Sequence, residues 1–438
     1  MRHAHPLPVP SRPSCSPPRR DRRRRISRRA CVLLAAVALA LVGASPLAGQ
    51  DPGRLIVDRD LSMRMGAEDL LTVQRELARV PDLVLPVKLG DEDGFGGKLG
   101  GILYRLARFS LVDNLVPVFG RVVQHEVFGH GARAREFDWP ASYSLELPPP
   151  LGGGGGSTTA RFPDGFTVTS VEAMAFTAGG VEAEGVARQA IARRWTARGS
   201  LTYHEALRYL WAWYDQTHYI YGNVAGPGDD VANYLRIYRD AYGATGTNWF
   251  GRGDLQKEAA VDFFDPMVWY SLYAVFGAHV VGARDSLSLP MLHLGGLRYL
   301  PYFRLGLSPF GPEYHSMHLF RAGGRGLALD LRLGDGRFDR TWGVAARTED
   351  AWRRGALGLD LRAAVWHQPA FALGGTSERA VGGGLGGLLA ATGRWRFGNE
   401  TAALRPSSVV VEVGYKTAGF LEGERLDRGL VLRAGLGM

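Results

Sequence analysis

The spacing of hydrophobic and polar residues changes once along the chain, near residue 297. Before this point apolar residues recur with helical spacing, and residues 114–135 are apolar almost all round. A helix with this pattern is normally buried, so residues 114–135 are predicted at the centre of a domain. Two more helical segments follow at residues 178–195 and 202–221, and aromatic residues are dense in the second.

After residue 297 apolar and polar residues alternate with a period of two. Leucine and valine occupy one face of these segments, and glycine and charged residues occupy the other, at residues 327–333, 357–365, 409–415 and 430–438. This alternation predicts an antiparallel meander of about seven or eight strands. A soluble sandwich would bury the leucine face, whereas an outer-membrane barrel would turn it towards lipid and fill its lumen with paired charges. The strand length of about ten residues favours the barrel.

The first fifty residues differ from everything that follows. They contain ten arginines, one acid (Asp21) and then the apolar run 31–44. A basic segment before a short apolar run predicts a signal peptide over residues 1–50. This segment accounts for the whole formal charge of +9, so the mature chain is close to neutral and a nucleic-acid partner is not expected. Both cysteines, Cys15 and Cys31, also lie here, so no disulfide is expected in the mature chain.

The sequence HEVFGH lies within the buried helix predicted at residues 114–135. It begins with His125 and ends with His130, and Glu126 follows the first histidine, as in the helix of a zinc hydrolase. The usual spacing of the histidines is i, i+4, but here it is i, i+5, and on an α-helix these rings would diverge by about 140°. A π-type turn removes most of that divergence. The sequence therefore predicts that the helix widens around Phe128 and Gly129.

A third ligand is expected from the acidic helix about fifty residues downstream. Glu182 is the first choice and Glu184 the reserve, because the two carboxylates lie about 200° apart on a helix and only one can face the metal. Two histidines, one glutamate and an open position make up a catalytic zinc site, so one Zn²⁺ ion is inferred.

HEVFGHG, together with the looser match VEAEG at residues 181–185, resembles the zinc peptidases of the dipeptidyl peptidase III type, whose motif is HE, three residues and H, with a ligand glutamate on a later helix. The resemblance covers these two motifs alone. It implies that His125, His130 and Glu182 bind zinc, that Glu126 is the general base, and that the substrate is a peptide or protein.

Three residues of the aromatic segment 202–221 are candidates for substrate or transition-state contacts: Tyr203, His204 and His218. The alternative is that they are core residues, since an aromatic stripe at helical spacing is normally packed inside a protein. Residues 143–166 contain three consecutive prolines and five consecutive glycines, which predicts a hairpin or flexible loop near the site, acting as a linker or as a lid.

These patterns predict an α+β protein with a helical metallohydrolase domain over residues 51–285 and an antiparallel β domain over residues 286–438. The functional hypothesis is an exported, membrane-associated zinc hydrolase, a peptidase, in the outer membrane or periplasm of a Gram-negative bacterium, with outer-membrane lipid as a partner. The alternative hypothesis is a non-enzymatic outer-membrane β-barrel protein in which the helical segment is a plug or gate.

Overall fold

The computed structural model describes residues 53–77, 95–222, 228–243, 251–335, 340–397 and 407–437. The predicted signal peptide, residues 1–50, lies outside the described residues. These described residues belong to one compact unit, in which most helices precede most strands. The α+β class predicted from the change of period is confirmed.

Nine α-helices occur in the described residues. They are α1 (Met63–Leu77), α2 (Phe95–Arg108), α3 (Leu115–His125), α4 (Gly131–Glu136), α5 (Ser170–Arg198), α6 (Tyr203–Tyr221), α7 (Asp230–Tyr242), α8 (Arg252–Ala259) and α9 (Pro266–Leu272). Three π-helical segments, Phe109–Asp113, Glu126–His130 and Tyr273–Val281, and a 3₁₀ segment, Ala260–Phe264, continue or join them. None of the described helices is long and apolar enough to cross a membrane.

The strands follow mainly in the second half of the chain. They are β1 (Arg54–Asp58), β2 (Ala141–Leu145), β3 (Gly156–Ala160), β4 (Ser200–Thr202), β5 (Ser286–Ser288), β6 (Leu292–Leu294), β7 (Leu297–Ser308), β8 (Gly311–Ala322), β9 (Arg325–Gly334), β10 (Trp342–Glu349), β11 (Trp352–Arg354), β12 (Leu357–Gln368), β13 (Phe371–Leu373), β14 (Arg379–Val381), β15 (Gly384–Arg396), β16 (Ser408–Lys416) and β17 (Gly429–Gly437). Of the two structures predicted for residues 143–166, a hairpin or a flexible loop, the chain contains a hairpin formed by β2 and β3.

The largest sheet is an antiparallel meander, as the alternation predicts. Its order is β1-β17-β16-β15-β12-β10-β9-β8-β7-β6, with β11 paired to β12. The sheet therefore has eleven strands and not seven or eight, because β1 from the N-terminal half joins it beside β17 and short strands extend it. It is open among the described residues, since its edge strands β1 and β6 are not paired with each other.

The apolar face of this sheet is exposed and its charged face is buried, which is the reverse of the usual arrangement in a soluble sheet. Leu432 is 56% exposed, whereas the next residue, Arg433, is 7% exposed. Arg433 binds Glu412 of the neighbouring strand at 3.2 Å, and Arg64 of α1 binds the same carboxylate at 3.2 Å. The charged face of the sheet thus lies against helices and is neutralised by ion pairs, while the leucine and valine face is turned outwards.

Helix α5 lies at the centre of the molecule. It begins with a capping box, in which the Thr169 hydroxyl accepts from the Glu172 N–H and Glu172 accepts from the Thr169 N–H, and it ends at Gly199 in the left-handed region with φ 77°. It contacts α1, α6 and α7 as well as strands β7, β8 and β9. Because it is surrounded on all sides, its charged residues must be paired, and its glycines set how closely the other helices approach.

Candidate metal centre

The helix that carries HEVFGH widens where the sequence predicts it. Glu126–His130 is a π-helical turn, closed by a hydrogen bond from the Gly131 N–H to the Glu126 carbonyl five residues earlier. The wider turn brings residues i and i+5 to the same side of the helix. His125 Nε2 and His130 Nε2 lie 3.2 Å apart, so the predicted convergence of the two rings is confirmed.

Glycines allow α5 to pack directly on this turn. A Cβ atom on Gly129 would lie 2.7 Å from the Gly179 carbonyl oxygen, and one on Gly180 would lie 2.2 Å from His125 Nε2. A side chain fits at neither position unless the neighbouring group moves. The contact of Gly129 with Gly179 and Gly180 therefore fixes α5 against the imidazole of His125.

The third group at this point is Asp230, the first residue of α7. Its Oδ2 atom lies 2.9 Å from His125 Nε2 and 3.1 Å from His130 Nε2. The preceding residue, Asp229, caps the helix by accepting from the Ala232 N–H at 2.9 Å, which leaves the Asp230 carboxylate free to face the histidines. Burial alone would raise the pKa of Asp230, but the charges and hydrogen bonds of His130 and His125 outweigh it and lower that pKa.

The distances among the three atoms fit a single small cation. Ligands 2.0–2.1 Å from a tetrahedral zinc ion lie about 3.3 Å from one another, and the three separations here are 2.9, 3.1 and 3.2 Å. His125, His130 and Asp230 are also the group that could hold a metal ion among the described residues.

The hydrogen bonds on the far sides of the rings fix which nitrogen of each histidine is available. His130 Nδ1 lies 2.7 Å from the Phe176 carbonyl oxygen, and His125 Nδ1 lies 2.7 Å from Asp215 Oδ2. Both partners only accept hydrogen bonds, so both Nδ1 atoms carry protons. In neutral rings the two Nε2 lone pairs and the Asp230 carboxylate then point at one another, which is unfavourable unless a proton or a metal ion lies between them.

Asp215 and Tyr219 of α6 hold His125 in this orientation. Asp215 also accepts a hydrogen bond from Arg121 at 2.8 Å, and the ring of Tyr219 stacks on the imidazole with centroids 5.1 Å apart. Burial lowers the pKa of His125, but the Asp215 carboxylate and neighbouring groups outweigh this and leave that pKa well above its usual value. Asp215 thus stabilises positive charge at His125, whether it comes from a proton or from a metal.

Glu126 lies at the junction of two cavities. One, of about 480 Å³, is also lined by His125 and Asp215; the other, of about 680 Å³, is also lined by His130 and Asp230. The Thr158 hydroxyl of β3 donates to Glu126 Oε2 at 2.7 Å and leaves Oε1 as the second acceptor. Glu126 therefore lies in the wall that the two cavities share, and each cavity also reaches residues of the converging group.

The structure corrects the predicted third ligand. Both oxygens of Glu182 are bound by Arg133, at 2.6 and 2.8 Å, and Oε1 also accepts from the Gly423 N–H at 2.8 Å. Burial raises the pKa of Glu182 to about 7 against the effect of Arg133. The reserve ligand, Glu184, is fully buried and is bound by Arg208 at 2.7 Å. Neither carboxylate is placed with the two histidines.

The three candidate contact residues of α6 lie in different places. Tyr203 donates to Asp113 Oδ2 at 3.1 Å and stacks on His279 with centroids 3.6 Å apart, and His204 packs beside Tyr203. Neither residue lines the two cavities, and Tyr203 is a core residue as the alternative predicts, whereas His204 is partly buried. His218 lines the smaller cavity, where its ring stacks on Tyr214.

The sequence reasoning missed Asp230 and Asp215. Asp215 is an acid within the aromatic segment 202–221, and a carboxylate buried in such a helix requires a cationic partner. Asp230 follows another aspartate at the start of a helix, where helix capping is the simplest explanation for both. No family model, curated protein or solved structure matches this chain.

Proposed function

We propose that this protein is an exported, membrane-associated, zinc-dependent hydrolase that acts on peptides or proteins. The observation that carries the proposal is the convergence of His125, His130 and Asp230 on one point, with Glu126 beside them in an open cleft. Two histidines and one carboxylate that leave a coordination position free are typical of catalytic zinc sites.

Each residue has a separate task in this proposal. His125, His130 and Asp230 would hold Zn²⁺, which supplies Lewis acidity that polarises a carbonyl group and makes a water molecule more acidic. Glu126 accepts the proton of the attacking water and returns it to the leaving amine. Thr158 orients the Glu126 carboxylate, and Asp215 keeps the Nδ1 proton on His125 so that Nε2 remains a ligand.

The hairpin beside the cleft supports a peptide substrate. Strand β3 pairs with β2 on one side among the described residues, and Gly156, Ser157, Thr158 and Thr159 of β3 line the larger cavity. An edge strand presents backbone N–H and C=O groups that an extended peptide can bind. Such binding would carry a peptide bond past Glu126.

Glu126→Gln tests the hydrolase proposal. The amide is nearly isosteric but cannot accept the proton of water, so hydrolysis should fall by at least about 10²-fold while zinc remains bound. Peptide cleavage and zinc content of the purified protein are measured together, with Glu378→Gln, a change of an exposed glutamate outside the two cavities, as the control. Unchanged hydrolysis in the Glu126 variant would refute the assigned base.

We also propose that the outward apolar face of the large sheet lies against outer-membrane lipid. The support is the inverted polarity of the sheet, since exposed leucines alternate with buried, paired charges as in a membrane-embedded β-structure. An arginine on the lipid face near the bilayer centre costs about 2–4 kcal/mol. Leu432→Arg should therefore weaken folding into lipid vesicles, measured by denaturant titration, whereas Leu432→Val should not. Equal stability of the two variants in the lipid vesicles would contradict this location.

A further inference from the structure

The larger cavity points to the kind of side chain that the substrate carries. We propose that it binds a large apolar side chain, aromatic or long aliphatic, of the residue next to the hydrolysed bond. The proposal rests on the peptidase function proposed above and names the substrate class of the same site.

One wall of this cavity is aromatic and aliphatic. Trp139, Phe162, Phe176 and Ile237 line it, and its volume of about 680 Å³ is sufficient for a side chain together with part of a peptide backbone. Trp139 packs edge-on against both phenylalanines, with ring centroids 4.9 Å from Phe162 and 5.7 Å from Phe176. These contacts hold the rings in place, so the apolar wall exists before any ligand enters.

Phe176 connects this wall to the metal centre. Its carbonyl oxygen accepts from His130 Nδ1 at 2.7 Å, and its ring lies 5.3 Å from the His130 imidazole. A side chain packed on Phe176 is therefore next to the point on which His130 and Asp230 converge. The pocket therefore binds the side chain of the substrate residue that forms the hydrolysed bond, and not that of a more distant substrate residue.

The smaller cavity on the other side of Glu126 has a different character. Arg121, Asp215 and the exposed His218 line it with the glycines at residues 153–156 and the aromatic residues Trp211 and Tyr214, so polar groups form a larger share of its wall than in the larger cavity. The two sides of the cleft therefore differ in polarity. A substrate with a large apolar residue on only one side of the cleaved bond fits this asymmetry.

Binding of blocked peptides to full-length, zinc-loaded Glu126→Gln protein tests the pocket without turnover. The probes are acetyl-Ala-Ala-X-Ala-Ala-amides in which X is alanine, leucine, phenylalanine or lysine, and their dissociation constants are measured by calorimetry. Burial of the larger apolar side chain should make the phenylalanine and leucine peptides bind at least about 30-fold more tightly than the alanine peptide. The lysine peptide should bind only slightly more tightly than the alanine peptide.

Two further variants locate this preference in the cavity. Ala173 lines the pocket, so Ala173→Phe fills it and should abolish the preference without weakening the alanine peptide. Phe162 is 56% exposed, so Phe162→Ala should leave the fold intact and weaken only the peptides with large apolar residues. Zinc content and melting temperature of each variant report whether it is folded.

Cleavage of the same peptides by the wild type separates the two proposals. Selective binding of the apolar peptides without cleavage would support the proposed apolar pocket and refute the proposed peptidase function. Cleavage without any preference among the four residues would keep the peptidase and overturn the pocket. Equal dissociation constants for the alanine and phenylalanine peptides, with no cleavage of either, would overturn both.

Discussion

Replacing Gly180 with alanine should remove the metal and leave the fold in place. The new Cβ would lie 2.2 Å from His125 Nε2 and 2.4 Å from the two neighbouring ring carbons, more than 1 Å inside the contact distance of about 3.5 Å. The ring cannot shift without cost, because Asp215 holds its Nδ1 atom and Tyr219 stacks on its face. The imidazole must therefore rotate away from the metal position.

The cost can be worked out from the contacts that such a rotation breaks. A hydrogen bond to a charged group contributes about 1.5–3 kcal/mol, and the rotation also removes one of the three proposed ligands. Zinc affinity should therefore fall by at least about 10²-fold, since loss of an outer partner alone costs 10–100-fold. Alanine in a helix interior is favoured over glycine by about 0.5–1 kcal/mol, which offsets part of the strain on α5.

Gly185→Ala is the matched control on the same helix. There the added Cβ would meet the ends of two long side chains, Glu422 Oε1 at 2.8 Å and Arg304 Nη1 at 2.9 Å, and not a ring at the metal site. Zinc content by mass spectrometry and competition with a chromophoric chelator compare both variants with the wild type. One zinc ion per chain at wild-type affinity in Gly180→Ala would refute the proposed position of the metal.

Two other substitutions separate positioning from folding. Asp215→Asn should lower zinc affinity by about 10–100-fold in a chelator competition, because the amide orients His125 less strongly than a carboxylate; wild-type affinity would show that Asp215 does not act on the metal. Glu182→Gln should lower the free energy of unfolding by about 3–5 kcal/mol, because it breaks the buried pair with Arg133. The folded fraction of that variant should keep one zinc ion per chain, and loss of zinc from folded protein would restore Glu182 as a ligand.

The local part of the site could be predicted from the sequence. Six residues contain both histidines and Glu126, and the i, i+5 spacing by itself requires a widened turn if the rings are to meet. The alternation after residue 297 likewise predicts the antiparallel meander, since it depends only on neighbouring positions. Structural features that depend on one short segment can therefore be predicted from the sequence.

The third ligand depends on how two helices are rotated against each other. Gly180 faces the His125 ring, and Glu182 lies about 200° further round α5, so its carboxylate points away from the metal centre. Glu182 lies on the same face of α5 as Gly179, where a Cβ atom would lie 3.2 Å from the Arg133 side chain, and on this face Glu182 pairs with Arg133. The position of Asp230 beside the histidines and the pairing of β1 with β17 were not predicted for a related reason. Each joins segments that are far apart in the sequence.

The metal content of the purified wild-type protein and of Asp230→Ala tests the central claim most directly. We expect one zinc ion per wild-type chain, with X-ray absorption giving two imidazole nitrogens and a carboxylate oxygen at about 2.0–2.2 Å. We expect little zinc in folded Asp230→Ala, in which Glu182 remains bound to Arg133. A wild-type protein that binds no stoichiometric metal, or an Asp230→Ala variant that retains it in full, would contradict the assignment of His125, His130 and Asp230 as a metal centre.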